Sequence, residues 1–369
     1  MRIHVVDPPA YTPPYDRALC AALARAGADV TLCSAPFSYG TVAAAEGYRV
    51  DECFGSLLRG QPGSNLRAAS RIAAEVPEML RYRRRARQAD VVHFQWLPLP
   101  QLGASLLPAS SPLVITAHDV VPRQPRPGQI AGLRRAYARA DAVVVHSEDG
   151  SARLQRELGV ASDRCHVIPH GSFTHLAAIE DRAPLEPELA AVEGPVVLCF
   201  GLIRPYKGLD VAIEAWRGIE GAELWIVGMP RMDTARLKAS APANVRFVER
   251  FIEDREIPAF FERADLALLP YREIDHSGVC FTALAFATPM LLSDVGGFPE
   301  IAAAGAAELV PAGDVAALSA ALQRLLADDA ARQRLAQGAA AAARDLYDWD
   351  RVAALHLELY SKLIGGGGR

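Results

Sequence analysis

The chain has 369 residues, of which 51% are hydrophobic and 22% charged, and its formal net charge is −4. This length and apolar content are sufficient for two domains, each with its own core. The uncharged stretch 277–293 is at the short limit for a membrane span and contains Gly, Pro, Ser and Thr, which argues against one. Because the N-terminus also lacks the pattern of a signal peptide, we expect a cytoplasmic protein.

Charged residues and cysteines are unevenly placed along the chain. Basic side chains exceed acidic ones in residues 1–168, whereas acidic ones exceed basic ones in the remainder. None of the six cysteines forms a CxxC pair, and several lie in apolar runs. We therefore expect reduced, buried thiols and no zinc site.

Short apolar runs rich in β-branched residues alternate with longer runs rich in Ala, Leu and Arg. The short runs are continuously apolar, which is typical of parallel strands buried on both faces. They predict strands at 2–7, 29–34, 90–95, 113–118, 142–147, 165–169, 196–201, 223–228, 245–249, 266–270, 289–293 and 307–311. The longer runs have helical periodicity, and the first of them ends in Gly27, a common helix stop.

The run RYRRRAR, residues 81–87, concentrates positive charge at the end of a predicted helix. Cations are stabilised at a helix C-terminus, so a solvated helix end is one interpretation. The other is a contact with an anionic lipid surface or an anionic acceptor. No nucleic-acid motif accompanies the run, and we expect no nucleic-acid partner. Its basic residues are Arg81, Arg83, Arg84, Arg85 and Arg87.

Residues 170–195 interrupt the alternation, because they are rich in Pro and Glu and contain no strand pattern. We interpret them as the link between two doubly wound α/β domains. Ligands of such folds bind beyond the carboxyl ends of the strands. The sequence therefore predicts two facing Rossmann-like domains with a ligand-binding cleft between them.

The segment CFGLIRPYKGLD, residues 199–210, carries the clearest functional signal. A predicted strand ends in Gly201, a short loop holds Arg204 and Lys207, and a helix begins near Gly208. Two cations beside a helix N-terminus, at the carboxyl end of a strand, favour an anion and fit a diphosphate. The alternative is a surface loop with two solvated cations.

Residues 200–210 resemble the phosphate loop of the family 4 glycosyltransferases, which have the GT-B architecture. Other segments resemble that family in the same order along the chain: ITAHDVVP (115–122), HVIPHG (166–171), 245–271, ALAFATPMLLSDVGGFPEI (283–301) and YDWDRVAALHLELY (347–360). The resemblance implies an N-terminal acceptor-side domain, 1–170, joined by the final helix, 347–369. It also implies a nucleotide-sugar donor domain, 171–346.

The family resemblance implies a sugar transferase that retains the anomeric configuration. Its donor would be a UDP-, GDP- or dTDP-sugar, its acceptor a glycan, a lipid-linked sugar or a small molecule, and it would need no metal or other cofactor. Gly201, Arg204 and Lys207 would hold the donor diphosphate, and the two cations would stabilise the leaving group. His118 would lie near the transferred sugar, unless it is only a packed strand-end histidine. Phe251 and Ile252 match the base-binding position.

The sequence departs from the family in the two-glutamate motif. Ile274 and Thr282 stand where many members have glutamates. Thr282 could still form a hydrogen bond to the donor ribose. One of three neighbours could replace the other glutamate: Glu273, Asp275 or His276.

The residues that follow, Ser277, Gly278 and Val279, open a predicted buried helix, and 289–293 predicts a core strand. Their backbone N–H groups could bind phosphate or sugar hydroxyls. The loop after the first strand also departs from the family, because it is rich in proline rather than glycine. We expect it to shape the acceptor side together with Asp119, with Tyr11 and Tyr15 either stacking on an acceptor ring or packing the loop.

An active glycosyltransferase is the leading hypothesis, because Arg204 and Lys207 have no role in a chain that does not bind a donor. The altered glutamate positions motivate a non-catalytic nucleotide-sugar-binding scaffold as the alternative. A sugar-nucleotide epimerase or a phosphorylase of the GT-B fold is a further alternative. No G-x-G-x-x-G follows an early strand, which argues against a nicotinamide dehydrogenase. If the basic run contacts lipid, the protein would lie at the inner face of the membrane.

Overall fold

The continuous apolar runs form parallel strands. The computed structural model describes residues 1–37, 42, 44–57, 59, 65–97 and 99–366. Within these residues the chain forms two compact units. The first comprises Met1–Gly171 and the helix that starts at Trp349, and the second comprises Ser172–Asp348.

The first unit contains a parallel sheet in the order β3-β2-β1-β4-β5-β6-β7. Its strands are β1 (Arg2–Asp7), β2 (Asp29–Ser34), β3 (Arg49–Asp51), β4 (Val91–Phe94), β5 (Leu113–Thr116), β6 (Ala142–Val145) and β7 (Cys165–Val167). The second unit contains a parallel sheet in the order β10-β9-β8-β11-β12-β13. Its strands are β8 (Val196–Phe200), β9 (Glu223–Val227), β10 (Val245–Val248), β11 (Leu266–Leu269), β12 (Met290–Ser293) and β13 (Ala307–Val310).

The prediction of two Rossmann-like α/β units is confirmed, and each of the twelve predicted runs contains a strand. The sequence analysis missed β3, a three-residue edge strand that pairs with β2. Its pattern of one exposed and two half-buried residues differs from the buried core strands. An edge strand this short gives no apolar run to recognise.

Helices cover the faces of both sheets, which is why the core strands are apolar throughout. In the first unit they are α1 (Pro13–Arg25), α2 (Asn65–Ala86), α3 (Pro100–Leu106), α4 (Gln129–Arg139) and α5 (Glu148–Leu158). In the second unit they are α6 (Thr174–Ala177), α7 (Pro187–Ala190), α8 (Leu209–Ala215), α9 (Ala235–Ser240), α10 (Ile257–Arg263), α11 (Gly278–Ala285), α12 (Phe298–Ala303), α13 (Val315–Ala327) and α14 (Asp329–Asp345). The last helix is α15 (Trp349–Gly366). No helix among the described residues is long and apolar enough to span a bilayer.

The last helix packs on the first unit through buried polar and aromatic contacts. Tyr360 Oη lies 2.6 Å from Nδ1 of His93 on β4. The indole of Trp349 fills the space beside Gly171, where an added Cβ would come within 2.3 Å of the ring. Asp350 accepts a hydrogen bond from Nε of Arg25 on α1 at 3.0 Å. These contacts explain why α15 belongs to the first unit although it follows the second in sequence.

Each sheet has one point at which the strand order reverses. β1 lies between β2 and β4, and β8 lies between β9 and β11. Loops that leave the carboxyl ends of such a strand and its reversed neighbour diverge to opposite faces of the sheet, and the crevice between them is the usual ligand site of open α/β sheets. Two pairs of loops are therefore candidate ligand sites: those after β1 and β4, and those after β8 and β11.

Candidate functional site

The loops after β8 and β11 meet through their backbones. An added Cβ on Gly208, whose φ is +63°, would lie 2.0 Å from the carbonyl oxygen of Pro270. The backbone N–H of Arg272 donates to the carbonyl of Tyr206 at 2.8 Å. Only a residue without a side chain permits this approach, so glycine is required at position 208.

Lys207 is a buried cation at this meeting point. Only 6% of its surface is exposed, and its Nζ donates to the carbonyl of Phe200 at 2.8 Å. Nζ also lies 5.2 Å from the ring centroid of Tyr271. Burial, together with a smaller effect of the nearby charge of Arg204, lowers the pKa of Lys207 to about 7. Since no carboxylate within the described residues pairs with Lys207, an anionic ligand would stabilise its charged form.

Gly201 and Arg204 lie in the loop after β8, beside Lys207. Gly201 has φ +92°, and an added Cβ would lie 2.9 Å from both Nζ of Lys207 and Cγ2 of Val279. Arg204 is exposed and immediately precedes the 3₁₀ turn Pro205–Lys207. The structure therefore brings Gly201 and Lys207, which were predicted as parts of one loop, close to Val279, which was predicted from a different segment.

The loop after β11 leads into the predicted buried helix, which is present as α11. Ser277 is its N-cap residue, yet its side chain does not cap the helix and instead lies 3.4 Å from the hydroxyl of the buried Tyr271. The first backbone N–H groups of α11 follow directly at Gly278, which is exposed, and at Val279, which is half-buried. Tyr271 was absent from the predicted site, because nothing in its sequence context marks it as a contact of Lys207.

The three candidates for the replaced glutamate differ in environment. Glu273 is exposed, Asp275 is 5% exposed and His276 is half-buried. The backbone N–H of Gly297 donates to the carbonyl of Asp275 at 3.0 Å, which fixes the loop at that point. Burial therefore distinguishes Asp275 and His276 from the surface residue Glu273.

Thr282 and Ile252 are partly occupied by contacts within the protein, whereas Phe251, the other base-binding candidate, is exposed. The hydroxyl of Thr282 donates to the carbonyl of Gly278 at 3.0 Å, so it can offer a ligand only its acceptor lone pairs. Phe251 follows β10 and is 42% exposed, whereas Ile252 is 7% exposed. Phe251 thus presents a ring to solvent, while Ile252 packs beneath the surface.

The loops after β1 and β4 carry different side chains. Asp7, at the end of β1, accepts hydrogen bonds from the backbone N–H groups of Tyr11 at 2.6 Å and Thr12 at 3.2 Å. Tyr11 is 60% exposed, and its ring meets that of Trp96 at 86° with the centroids 5.5 Å apart. Trp96 was missed by the sequence analysis, because only the adjacency of β1 and β4 brings it to Tyr11.

Tyr15 does not face an acceptor. It is 2% exposed, and its ring lies within 4.8–5.4 Å of four other rings: His118, His146, His170 and Trp349. Packing was the second of the two predicted roles, and burial excludes the stacking role for this residue. Asp119 lies at the surface near Arg123, 3.6 Å away, in an i,i+4 ion pair.

His118 is held by hydrogen-bonding groups on both sides of its ring. Its Nε2 lies 3.1 Å from the amide of Gln95, and its Nδ1 lies 3.2 Å from Nε2 of His146. His146 Nδ1 donates to the carbonyl of Ile168 at 2.9 Å, and burial lowers the pKa of His146 to about 4, so that ring is neutral. Nε2 of His146 must then accept from His118. These contacts fix the orientation of His118 after β5.

Cys33, Asp51 and Cys53 place possible metal ligands within 4.8 Å of one another. Arg85 pairs with Asp51 and already supplies positive charge there. A hydrogen bond to Cys53 and burial raise the pKa of the Cys33 thiol, which keeps it protonated. All six cysteines are free thiols, and we assign no ion to this cluster.

Comparison with known proteins agrees with both halves of the fold. Residues 17–172 match the family model described as Glycosyltransferase Family 4, and residues 194–328 match the model described as Glycosyl transferases group 1. The D-inositol 3-phosphate glycosyltransferase of Xylanimonas cellulosilytica is 31% identical over 64% of this chain, and the match spans 60% of that relative. The phosphatidyl-myo-inositol mannosyltransferase of Mycobacterium leprae is 29% identical over 76% of this chain and 75% of its own length.

Solved structures show the same fold at lower identity. Sucrose-phosphate synthase from Thermosynechococcus elongatus superposes with a TM-score of 0.78 at 20% identity, with full coverage of both chains. Anabaena HepE, solved in complex with UDP-glucose, gives a TM-score of 0.75 at 19% identity and covers 98% of this chain and 100% of its own. The two family models together match most of the chain, in the order in which the two units occur. The chain therefore belongs to glycosyltransferase family 4.

Proposed function

We propose that the protein transfers a sugar from a nucleotide-sugar donor to a glycolipid or small-molecule acceptor, with retention of the anomeric configuration and without a metal ion. The observation that carries this proposal is the buried Lys207, which forms no ion pair with any described residue, beside Arg204 at the reversal point of the second sheet. HepE, which has the same fold, was solved with UDP-glucose. Two of the relatives are named for transfer to inositol phosphate and to phosphatidyl-myo-inositol.

In this proposal the second unit binds the donor diphosphate and assists its departure. Lys207 and Arg204 supply positive charge where the leaving group becomes more negative, a role that a metal ion fills in other enzymes. The N-terminus of α11 adds backbone donors at Gly278 and Val279. Because Lys207 is fixed by Phe200, its charge needs no reorganisation during the reaction.

The remaining predicted roles are part of the same proposal. Asp275 or His276 contacts the transferred sugar in place of the absent glutamate, and His118 has a role near that sugar. Phe251 stacks on the nucleotide base, with Ile252 beneath it. Thr282 accepts a hydrogen bond from a ribose hydroxyl.

The test is a donor panel of UDP-, GDP- and dTDP-sugars with the full-length protein. We expect one nucleotide class to raise the thermal midpoint and to support transfer, with the product anomer identified by NMR and the rate unchanged by EDTA. Donor binding without transfer to any acceptor would favour the scaffold alternative, and isomerisation of the donor sugar without an acceptor would favour the epimerase. Loss of activity in EDTA, restored by Mg²⁺, would contradict metal independence.

We also propose that α2 contacts the anionic inner face of the membrane. Val76 and Leu80 are 38% and 48% exposed on successive turns, and the exposed Arg84 and Arg87 continue that face. Exposed apolar residues flanked by arginines are typical of a helix that lies in a membrane interface. Arg81 is also exposed.

Two arginines of this run have structural contacts instead. Arg85 pairs with Asp51, and half-buried Arg83 reaches the carbonyl of Ser105 at 3.5 Å. The appropriate variant therefore replaces Arg81, Arg84 and Arg87 with glutamate. We expect it to lose co-sedimentation with phosphatidylglycerol vesicles. A matched variant with glutamate at the exposed Arg231, Arg236 and Arg334 should bind as the parent does. Equal binding of the parent to phosphatidylcholine vesicles would contradict the proposal.

A further inference from the structure

Two aromatic rings form a corner at the reversal point of the first sheet. Tyr11 follows β1 and Trp96 follows β4, and their rings stand at 86° to one another. The Trp96 indole also stacks on His118, with centroids 5.1 Å apart and planes 17° apart, and its Nε1 donates to Oγ1 of Thr12 at 2.9 Å. Trp96 is thus fixed from two sides, while Tyr11 remains 60% exposed.

The loop that carries Tyr11 offers no cation and favours a neutral polyol. Residues 8–15 contain no Lys or Arg, and the acidic residues at either end, Asp7 and Asp16, are buried. An exposed aromatic face binds apolar surface, and the C–H face of a six-membered polyol ring is such a surface. A phosphate placed beside this loop would find no loop cation to pair with and would lie near the carboxylate of Asp7.

Three buried polar atoms of the neighbouring residues have no partner among the described residues. Gln95 is fully buried, and one end of its amide faces His118 while the other end has no partner among the described residues. Oδ1 of Asp7 and Oδ1 of Asp16 likewise have none. Buried polar groups are nearly always hydrogen-bonded, so unpartnered atoms in a ligand crevice indicate positions for ligand hydroxyls or water.

We propose that Tyr11 and Trp96 form a stacking subsite for a six-membered polyol ring of the acceptor, either a pyranose or a cyclitol. The ring lies with its C–H face on Tyr11 and its edge against Trp96. This inference rests on the proposed function, because it assigns the acceptor to the first unit. It assigns Tyr11 and Trp96 as binding residues and gives Thr12 a positioning role through the indole N–H.

Trp96 offers a direct measurement of ring binding. The chain has four tryptophans, and the other three, Trp216, Trp225 and Trp349, are at most 5% exposed. Acrylamide quenching therefore reports chiefly on Trp96. The probes are methyl α-D-mannopyranoside and myo-inositol, added without nucleotide to the full-length protein. We expect one of them to protect Trp96 from acrylamide in a saturable manner, and the responding probe identifies the ring as pyranose or cyclitol.

Three variants test the stacking geometry. Tyr11→Ala should weaken probe binding by about fivefold to tenfold, whereas Tyr11→Phe should bind nearly as the parent does. Ile364→Ala, which removes another exposed apolar side chain of the first unit, should have no effect. Tyr11 contributes only its backbone N–H to Asp7, so the Ala variant should keep the parent's thermal midpoint.

The proposal is overturned if neither probe protects Trp96 up to its solubility limit, or if Tyr11→Ala binds as the parent does. It is also overturned if Tyr11→Phe loses as much affinity as Tyr11→Ala, since the hydroxyl rather than the ring face would then be the contact. Donor binding is measured separately by thermal shift with the nucleotide-sugar. Failure of the proposed function would remove that shift or leave the parent unable to transfer sugar, whereas failure of the acceptor subsite alone would leave both donor binding and transfer intact.

Discussion

The two sheets have the same reversal of strand order but opposite chemistry at that point. In the second unit the loops after β8 and β11 present Lys207 and Arg204, and glycine backbone lets the two loops touch. In the first unit the loops after β1 and β4 present Tyr11 and Trp96, with Asp7 behind them. The topology supplies a crevice in both cases, and the loop residues decide which ligand suits it.

The loops at the two reversal points also differ in their glycine and proline residues. Gly201 and Gly208 have positive φ and contact the neighbouring loop closely, which allows the chain to approach a phosphate. Four prolines instead fix φ and stiffen the aromatic corner: Pro8 and Pro9 lie in the loop after β1, and Pro13 and Pro14 open α1. Close backbone approach suits a charged group, whereas a rigid aromatic surface suits a neutral ring.

The largest effect should follow from removing the buried cation. Lys207→Met should reduce kcat/KM for sugar transfer by about 10²–10³-fold, because a fixed charge at the leaving group acts mainly in the transition state. Lys238→Met is the matched control, since Lys238 is a lysine of the same unit that pairs with Glu249 at the surface. Steady-state kinetics at saturating acceptor measure both. Equal losses in the two variants would contradict a specific role for Lys207.

The next effect concerns the stability of the second unit. Gly208→Ala should lower its free energy of unfolding by about 3 kcal/mol or more, because the new Cβ is both strained at φ +63° and within 2.0 Å of a carbonyl oxygen. Gly218→Ala shares the positive φ, +79°, but meets nothing within 4 Å, and should cost only about 1–2 kcal/mol. Urea unfolding followed by the fluorescence of Trp216 and Trp225 separates the two. Similar losses would mean that loop contact adds nothing to backbone strain.

The sequence predicts the core strands well for a physical reason. Strands buried on both faces must be apolar throughout, and the run 196–200 shows this directly. The motif around Arg204 and Lys207 is likewise local, because both residues belong to one loop. Features that depend on the local sequence pattern can therefore be predicted from the sequence alone.

Contacts between distant parts of the chain cannot be predicted from the local sequence pattern. Trp96 lies beside Tyr11 because β1 and β4 are neighbours, and Tyr15 packs among rings that come from distant parts of the chain, including Trp349 of α15. In the sequence Arg85 is one of five arginines that no feature distinguishes, yet in the structure it pairs with Asp51 on β3. Each of these residues is defined by tertiary neighbours that no spacing rule identifies.

A third effect should appear as proton uptake on donor binding. Because Lys207 has a pKa of about 7 in the free protein, it loses its proton as pH rises above 7. A bound diphosphate favours the charged form, so binding at pH 8 should take up close to one proton, and affinity should fall by up to about tenfold per pH unit above 7. Titration calorimetry in two buffers of different ionisation enthalpy measures this uptake.

The matching control for proton uptake is Lys207→Met, which should bind more weakly and take up no proton. Arg204→Ala should also bind more weakly but should retain the uptake, because Lys207 is still present. Undiminished uptake in Lys207→Met would assign the proton to another group. A binding constant of the parent protein independent of pH between 7 and 9 would show that Lys207 remains charged when free.

The smallest effect should come from the buried acidic pair of the first unit. Burial, the charge of Asp7 and a hydrogen bond to it raise the pKa of Asp16 well above its usual value, so Asp16 holds a proton that Asp7 accepts. A carboxyl whose folded pKa is raised contributes stability that is lost as pH rises through that pKa. Asp16→Asn keeps an N–H donor toward Asp7 but does not titrate. Its stability relative to the parent should therefore increase as the pH rises from 5 to 8.

Thermal unfolding of the parent and of Asp16→Asn across that pH range measures the difference, with the exposed Asp163→Asn as a control that should show no trend. A constant difference would mean that the pair does not share a proton. A growing difference would mean that the first reversal point carries one negative charge where two carboxylates stand. The second reversal point would then differ from the first in the sign of a single buried charge as well as in its loops.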